Sequence, residues 1–189
     1  PVPGLMHALI FWGFMVLQIR TIYLVVIAFV PDAHLPGHNV YTLLKDITEV
    51  LVLAMVCFAA FRRVVTKPAR LTISGEALVV LGMIGGLMVS DFLYDGFMFA
   101  RHAAEAAAAG TAVSEQILSE RAWAPIGGLL ASAFGGMSSG QLLIGEELFY
   151  WSHIFIVLTF LNILPGSKHF HVITSIPNVL FSDLTPKGA

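Results

Sequence analysis

Charge is what this sequence has least of. Asp, Glu, Lys and Arg make up only 12% of its 189 residues, against roughly 25% in an ordinary soluble domain. With 57% of the residues hydrophobic, a water-soluble globule would have too little polar surface, and the lipid bilayer is the expected solvent. Basic tracts are missing as well. Ten Lys and Arg against twelve Asp and Glu leave a net charge of −2, which excludes the electrostatic footprint of a nucleic-acid binder. The same apolar richness excludes disorder. Cysteine is nearly absent: Cys57 stands alone in an apolar run, so there is no disulfide framework, no CxxC pair and no thiolate set for zinc or an iron–sulfur cluster. Any metal must be held by other ligands.

What is present is length and hydrophobicity in the right measure to cross a bilayer, which takes about 20 mostly apolar residues. Four segments qualify, at about 5–30, 41–61, 71–100 and 148–164. The first is interrupted only by His7 and Arg20, and it is too long and too poorly flanked for a signal peptide, so it is expected to be retained. The second carries Lys45, Asp46 and Glu49 in its first half, and the third ends in Asp91 and Asp95 after a clean apolar run. Residues 102–147 are alanine-rich and charged, then glycine-broken and apolar from Pro125 to Met137. That last piece is too short to span, and an interfacial or re-entrant helical hairpin is expected. The fold expected is an all-α integral membrane bundle of about four transmembrane helices plus an outer interfacial hairpin, forming one domain.

Arg62, Arg63, Lys67 and Arg70 fall between spans two and three, which the positive-inside rule places in the cytoplasm. The N-terminus and the 165–189 tail, with Lys168 and Lys187, are then cytoplasmic, and the 31–39 loop and 102–147 face outward. No internal repeat of transporter type is visible.

The histidines carry the chemistry. A bis-histidine b-type haem needs two neutral imidazoles from different helices at one depth. His153 and His171 are 18 residues apart, five whole turns and roughly 27 Å along a continuous helix, a spacing suited to two haems stacked across a membrane. Pro165 between them is a potential kink. His7 starts from the same side as His171 and is its expected partner, with Gly13 leaving room for a flat macrocycle. His153 has only His102 as a partner on depth, and only if the third span tilts or kinks. For His34, His38 and His169 ordinary interfacial hydrogen bonding suffices.

Arg20 lies roughly 20 Å beyond His7 on a helix, and a guanidinium at that depth requires a partner. Asp91, Asp95 and Glu49 approach the same level. Three readings stay open: a structural ion-pair cluster, a haem-propionate clamp by Arg20, and a proton path to a quinone through Asp91, Asp95 or Glu49. Tyr94, Tyr150 and Trp151 are candidates to line such a site, or to form an interfacial aromatic belt.

The C-terminal segment resembles known proteins. His153 followed by Pro165, Ser167, Lys168 and His171, then Ile176 and Pro177, looks like the last haem-bearing helix of the nitrate reductase gamma subunit family. Gly4-Leu-Met-His-Ala-Leu-Ile resembles that family's first haem-bearing helix, and Phe61-Arg-Arg into Thr72-Ile-Ser-Gly-Glu fits its basic inner loop. Pro165-Gly-Ser-Lys-His-Phe-His-Val-Ile-Thr-Ser-Ile-Pro-Asn-Val resembles the exit of the membrane cytochrome b-like domain of heterodisulfide-reductase-like iron–sulfur proteins.

The resemblance implies a bacterial or archaeal cytoplasmic membrane protein that carries electrons through haem b, one or two per chain, between a cytoplasmic donor and the quinone pool. The implied donor is an iron–sulfur domain or subunit, or electron-transfer flavoprotein, and the implied acceptor is menaquinone. His7 and His171 match the inner ligand pair, and His153 matches one outer ligand. The other outer ligand falls at about Leu17, which cannot bind iron, so His102 substitutes, the outer haem is five-coordinate, or it is missing. With Cys57 alone, the clusters must come from another chain or segment. Competing classes are a cofactor-free membrane anchor for a soluble redox enzyme and a small transporter built on Arg20 and the acids.

Overall fold

The computed structural model describes residues 2–30, 33–67, 75–167 and 170–182. Among them every regular element is helical: α1 Val2–Phe29, α2 His38–Phe61, α3 Gly75–Ala109, α4 Glu115–Trp123, α5 Pro125–Phe134, α6 Ser139–Ile163 and α7 His171–Leu180. Arg70, Lys168, His169 and Lys187 lie outside the described residues.

The helix boundaries follow local chemistry. The alanine run after His102 favours helix, which carries α3 past the expected end near 100 to Ala109, where Gly110 turns the chain at φ 65°. Ser138 and Gln141 form a reciprocal capping box, so α6 begins at Ser139 instead of the expected 148. Pro165 does not kink a long final helix. It sits in a tight turn, Leu164–Gly166, that ends α6, because proline lacks the amide the helix would need. The expected single helix through His153 and His171 is therefore two helices, and their five-turn register does not hold. The 165–189 stretch, expected as a plain tail, includes α7.

Among the described residues three helices are long and apolar enough to cross a membrane: Pro3–Phe29, Gly75–Ala109 and Ser139–Gly166. At 24 residues, or about 36 Å, α2 is as long as a span but carries ionisable groups on one face. The distribution of side chains is inverted relative to a soluble protein. Phe29 is 83% exposed and Phe155 70%, whereas Lys45, Asp46 and Glu49 are at most 3% exposed.

The central helix is α3, which packs against α2, α5 and α6, while α1 packs against α2 and α4 docks on α2. One apolar core, on Val52, Val56, Ala59, Leu81 and Met88, lies at one end of α3. A second, on Phe97, Phe99, Ala131 and Leu142, lies at the other. Phe97 stacks on Phe134 of α5 at 4.2 Å and lies near-parallel to Phe149 of α6 at 5.7 Å. Gly145 permits this, since a Cβ there would sit 2.5 Å from the Phe97 ring. Close approach at small residues is the usual way helices associate without a hydrophobic drive from water. Gly13 plays the same part between α1 and α2. Its open side is filled by Val52 and Thr48, so the expected room for a macrocycle at Gly13 is taken by helix packing. The expected hairpin exists as α4 and α5, and α5 reaches down α3 until Gly127 meets Asp95 and Phe99.

Candidate functional site

Between the two apolar cores lies a buried polar cluster, built by matched spacing on facing helices. Tyr41, Lys45 and Glu49 follow one another at four-residue intervals on α2, and Asp91 and Asp95 do the same on α3, so each set occupies one face. The Lys45 ammonium is the hub. Its Nζ donates to Asp91 Oδ2 at 2.5 Å and Asp95 Oδ2 at 2.9 Å, and lies 3.5 Å from Glu49 Oε2. Arg20 Nη1 reaches Asp91 Oδ2 at 3.4 Å. Arg20 is thus ion-paired with Asp91 and lines a cavity of about 210 Å³ with Tyr41, Lys45, Asp95, His38 and Glu120. It does not line the cavity of His7 and His171.

The acids outnumber the bases here. Lys45 and Arg20 face Asp46, Glu49, Asp91 and Asp95; Asp46 Oδ1 is buried with no hydrogen-bond donor among the described residues, and the buried Glu49 Oε2 has a long ion-pair contact to Lys45. Asp46 spends its other oxygen on the α5 N-terminus, where the Ile126 amide donates at 2.8 Å; an anion at a helix N-terminus is the favoured arrangement. Tyr41 makes an unusual connection. Its hydroxyl accepts from the Arg20 amide at 3.0 Å and donates to the Val16 carbonyl at 3.2 Å, standing between an amide and carbonyl four residues apart, the spacing of a helical backbone bond. At the rim, His38 Nε2 lies 3.1 Å from Glu120 Oε1, in keeping with the interfacial role expected of it.

His153 Nδ1 hydrogen-bonds Ser90 Oγ at 3.0 Å, and that hydroxyl also donates to the Leu87 carbonyl. This fixes the level of His153 against α3. His102 stands twelve residues further along the same unbroken helix, about 18 Å away axially. The structure does not bring His102 to His153, since α3 runs as one continuous helix from Ser90 to His102.

His7 and His171 do come together. Their ring centroids lie 5.8 Å apart with the planes at 41°, although the helix expected to carry His171 is a separate one. A metal ion held between two imidazole nitrogens at about 2 Å each puts the centroids about 6 Å apart. The pair opens on a second cavity, of about 390 Å³, walled by Ile10, Phe14, Leu17, Leu81 and Met88 among others. This is an apolar space of the size cofactor sites use, generally 300–1,000 Å³. No cluster of three or more His, Cys, Asp or Glu side chains suited to a metal occurs among the described residues; the donor set here is two imidazoles in an apolar wall. Arg63 reaches this cavity.

Sequence reasoning missed Lys45 as the partner of Asp91 and Asp95, the insertion of Tyr41 into α1, and Arg63. For Lys45 the signal was available in the paired four-residue spacings of α2 and α3. For Tyr41 and Ser90 none was.

The chain is similar along its whole length to two characterised kinds of protein. It is 32% identical over 192 aligned residues to an EtfAB:quinone oxidoreductase of Syntrophomonas wolfei, covering all of this chain and 26% of that protein. It is 29% identical over 188 residues to a probable iron-sulfur-binding oxidoreductase, FadF, of Bacillus subtilis, covering 98% of this chain and 25% of that one. The chain thus spans about a quarter of the length of these relatives. No family model and no solved structure matches it. Its relatives are oxidoreductases linked by name to quinone and to iron–sulfur electron transfer.

Proposed function

We propose that this chain is the membrane-embedded haem b arm of a quinone oxidoreductase, with α2 as a fourth span and both ends of the chain on the cytoplasmic side. The observation that carries the reading is the His7–His171 pair, 5.8 Å apart at the mouth of an apolar cavity. Haem b held there would supply one-electron redox chemistry, at a potential set by its ligands and burial.

The chain's own residues do the rest. His7 and His171 would hold the iron, and the apolar side chains of Phe14, Leu17, Leu81 and Met88 would exclude water from the site. The polar cluster lies further along the bundle, Arg20 standing about 20 Å along α1 from His7, and supplies the quinone end. Reducing a quinone consumes protons as well as electrons, and four carboxyls facing two cations leave acid groups able to hold and release them. Asp95 and Lys45 line the 210 Å³ cavity, where a quinone carbonyl meets an ammonium donor. Glu49, whose buried Oε2 lies 3.5 Å from the Lys45 ammonium, is the proton-holding neighbour.

Donor and acceptor follow from the relatives' names: electron-transfer flavoprotein or an iron–sulfur module on the cytoplasmic side, and a quinone, menaquinone by the sequence resemblance, within the bilayer. One haem per chain is the proposed stoichiometry, because one pair of imidazoles, His7 and His171, meets among the described residues.

The test is a pyridine haemochrome assay on the full chain purified in detergent, with dithionite-reduced spectra. One low-spin haem b per chain is the expected result. A protein prepared with haem available that contains none overturns the proposal and leaves a cofactor-free anchor.

A further inference from the structure

An arginine faces the His7–His171 cavity. Arg63 is the sole Lys or Arg among the residues lining that space, and no Asp or Glu lines it among the described residues. Its Nη1 makes a long bond, 3.5 Å, to the Ala59 carbonyl one turn back. Its Nε is buried and has no hydrogen-bond partner among the described residues. A desolvated guanidinium nitrogen with nothing to donate to is costly, and persists where a ligand completes it.

The backbone is bent to hold this side chain where it is. After Phe61 the regular helix gives way to a π-helical turn, Arg62–Thr66, closed by the Lys67 amide on the Arg62 carbonyl at 2.9 Å and by Lys67 itself at φ 41°. A π turn is less stable than an α turn and is retained mostly at functional positions. Here it carries Arg63 at the end of the cavity. At the same end α1 supplies His7, on a face that continues through Ile10, Phe14 and Leu17.

We propose that Arg63 is the counter-ion for an acidic group of the ligand between His7 and His171, and that the group is a haem propionate. This rests on the reading above that the pair holds haem. Haem suits the cavity in both of its characters, since the macrocycle is flat and apolar and its two carboxylates leave from one edge. A guanidinium matches a carboxylate with two parallel N–H donors, and burial against an apolar wall strengthens that pair relative to one in water. Arg63 is a positioning residue: it fixes which edge of the ring points toward the cytoplasmic loop, and its charge favours the reduced, less positive iron.

The experiment compares haem b with its dimethyl ester, in which both propionates are blocked, by titration into the full chain in lipid nanodiscs. The wild-type protein is expected to bind the ester about ten- to hundredfold more weakly, the range for loss of one charged hydrogen-bonded pair. Arg63→Gln is expected to bind haem b with that same loss, to lower its midpoint potential, and to discriminate little between haem and ester. Arg62→Gln, which removes an equal charge one residue away, is expected to behave as wild type.

Equal binding of haem and ester by the wild-type protein overturns the proposal without any variant. So does an Arg63→Gln protein with wild-type affinity and potential. If the wild-type chain takes up neither compound, the haem reading itself falls and this inference with it, an outcome distinct from haem uptake that ignores Arg63.

Discussion

The imidazoles of His7 and His171, 164 positions apart in the sequence, stand with their ring centroids 5.8 Å from one another. His171 opens α7 and His7 lies in the second turn of α1, so the contact joins the first helix to the last. Replacing His171 with Ala removes one of the two proposed haem ligands. The expected outcome is loss of the low-spin bis-imidazole spectrum and near-complete loss of bound haem, read by pyridine haemochrome assay. Retention of full haem content with an unchanged spectrum would remove His171 from the site.

Lys45 holds two helices together through Asp91 and Asp95. Lys45→Met leaves those carboxylates buried beside one cation fewer, and removing one partner of a buried pair costs about 3–5 kcal/mol. Partial recovery is expected in the double variant Lys45→Met with Asp91→Asn, which discharges a stranded partner. Reversible SDS unfolding of the detergent-solubilised protein measures both, and a double variant no better than the single one would refute the coupling.

Gly145 leaves room for the Phe97 ring at the α3–α6 crossing. Gly145→Val places branched carbon where the ring lies, and overpacking of this kind costs about 1–3 kcal/mol. Its signature is a lowered unfolding midpoint with separation of α3 from α6, measurable by spin labels on the two helices. The paired change Gly145→Val with Phe97→Ala is expected to recover part of the loss.

The proposed function gives Glu49 a part in proton delivery. Glu49→Gln preserves shape and leaves Lys45 with its two aspartates. Haem content is expected to stay at the wild-type level while the rate at which a menaquinol analogue reduces the haem falls by about 10²-fold or more, the usual worth of a positioned acid or base. Stopped-flow absorbance in nanodiscs checks it, and an unchanged rate would assign Glu49 a packing role.

Much of this arrangement was legible in the residues, for physical reasons that differ from element to element. Span existence follows from hydropathy and length, and α1, α3 and α6 are all where long apolar runs stand. The His7–His171 meeting was reached by matching depth, a property that survives when Pro165 ends α6 and breaks the expected register. The His102–His153 pairing needed a bend in α3, and nothing in its sequence supplies one: the residues between Ser90 and His102 include Gly96 but no proline. The ion cluster was visible as unpaired charge, yet its hub was not, because Lys45 was read beside its neighbours in α2 and not across to Asp91 and Asp95. Tyr41 belongs to a different class. A hydroxyl inserted in another helix's backbone leaves no pattern in a one-dimensional string.

The partners of Lys45 lie 46 and 50 residues later in the chain, and the amide that satisfies Asp46 lies 80 residues later. As the polypeptide emerges from the ribosome, α2 is complete long before any of them. Each of Lys45 and Asp46 costs about 2.5–3.5 kcal/mol at the centre of a lone inserting helix. With α2 as the proposed fourth span, its integration is expected to wait for α3, the two entering as a preformed hairpin with α5 closing over Asp46 afterwards. Truncating nascent chains between Thr66 and Asp91 would arrest that hairpin in the translocon, and extending them past Asp95 would release it.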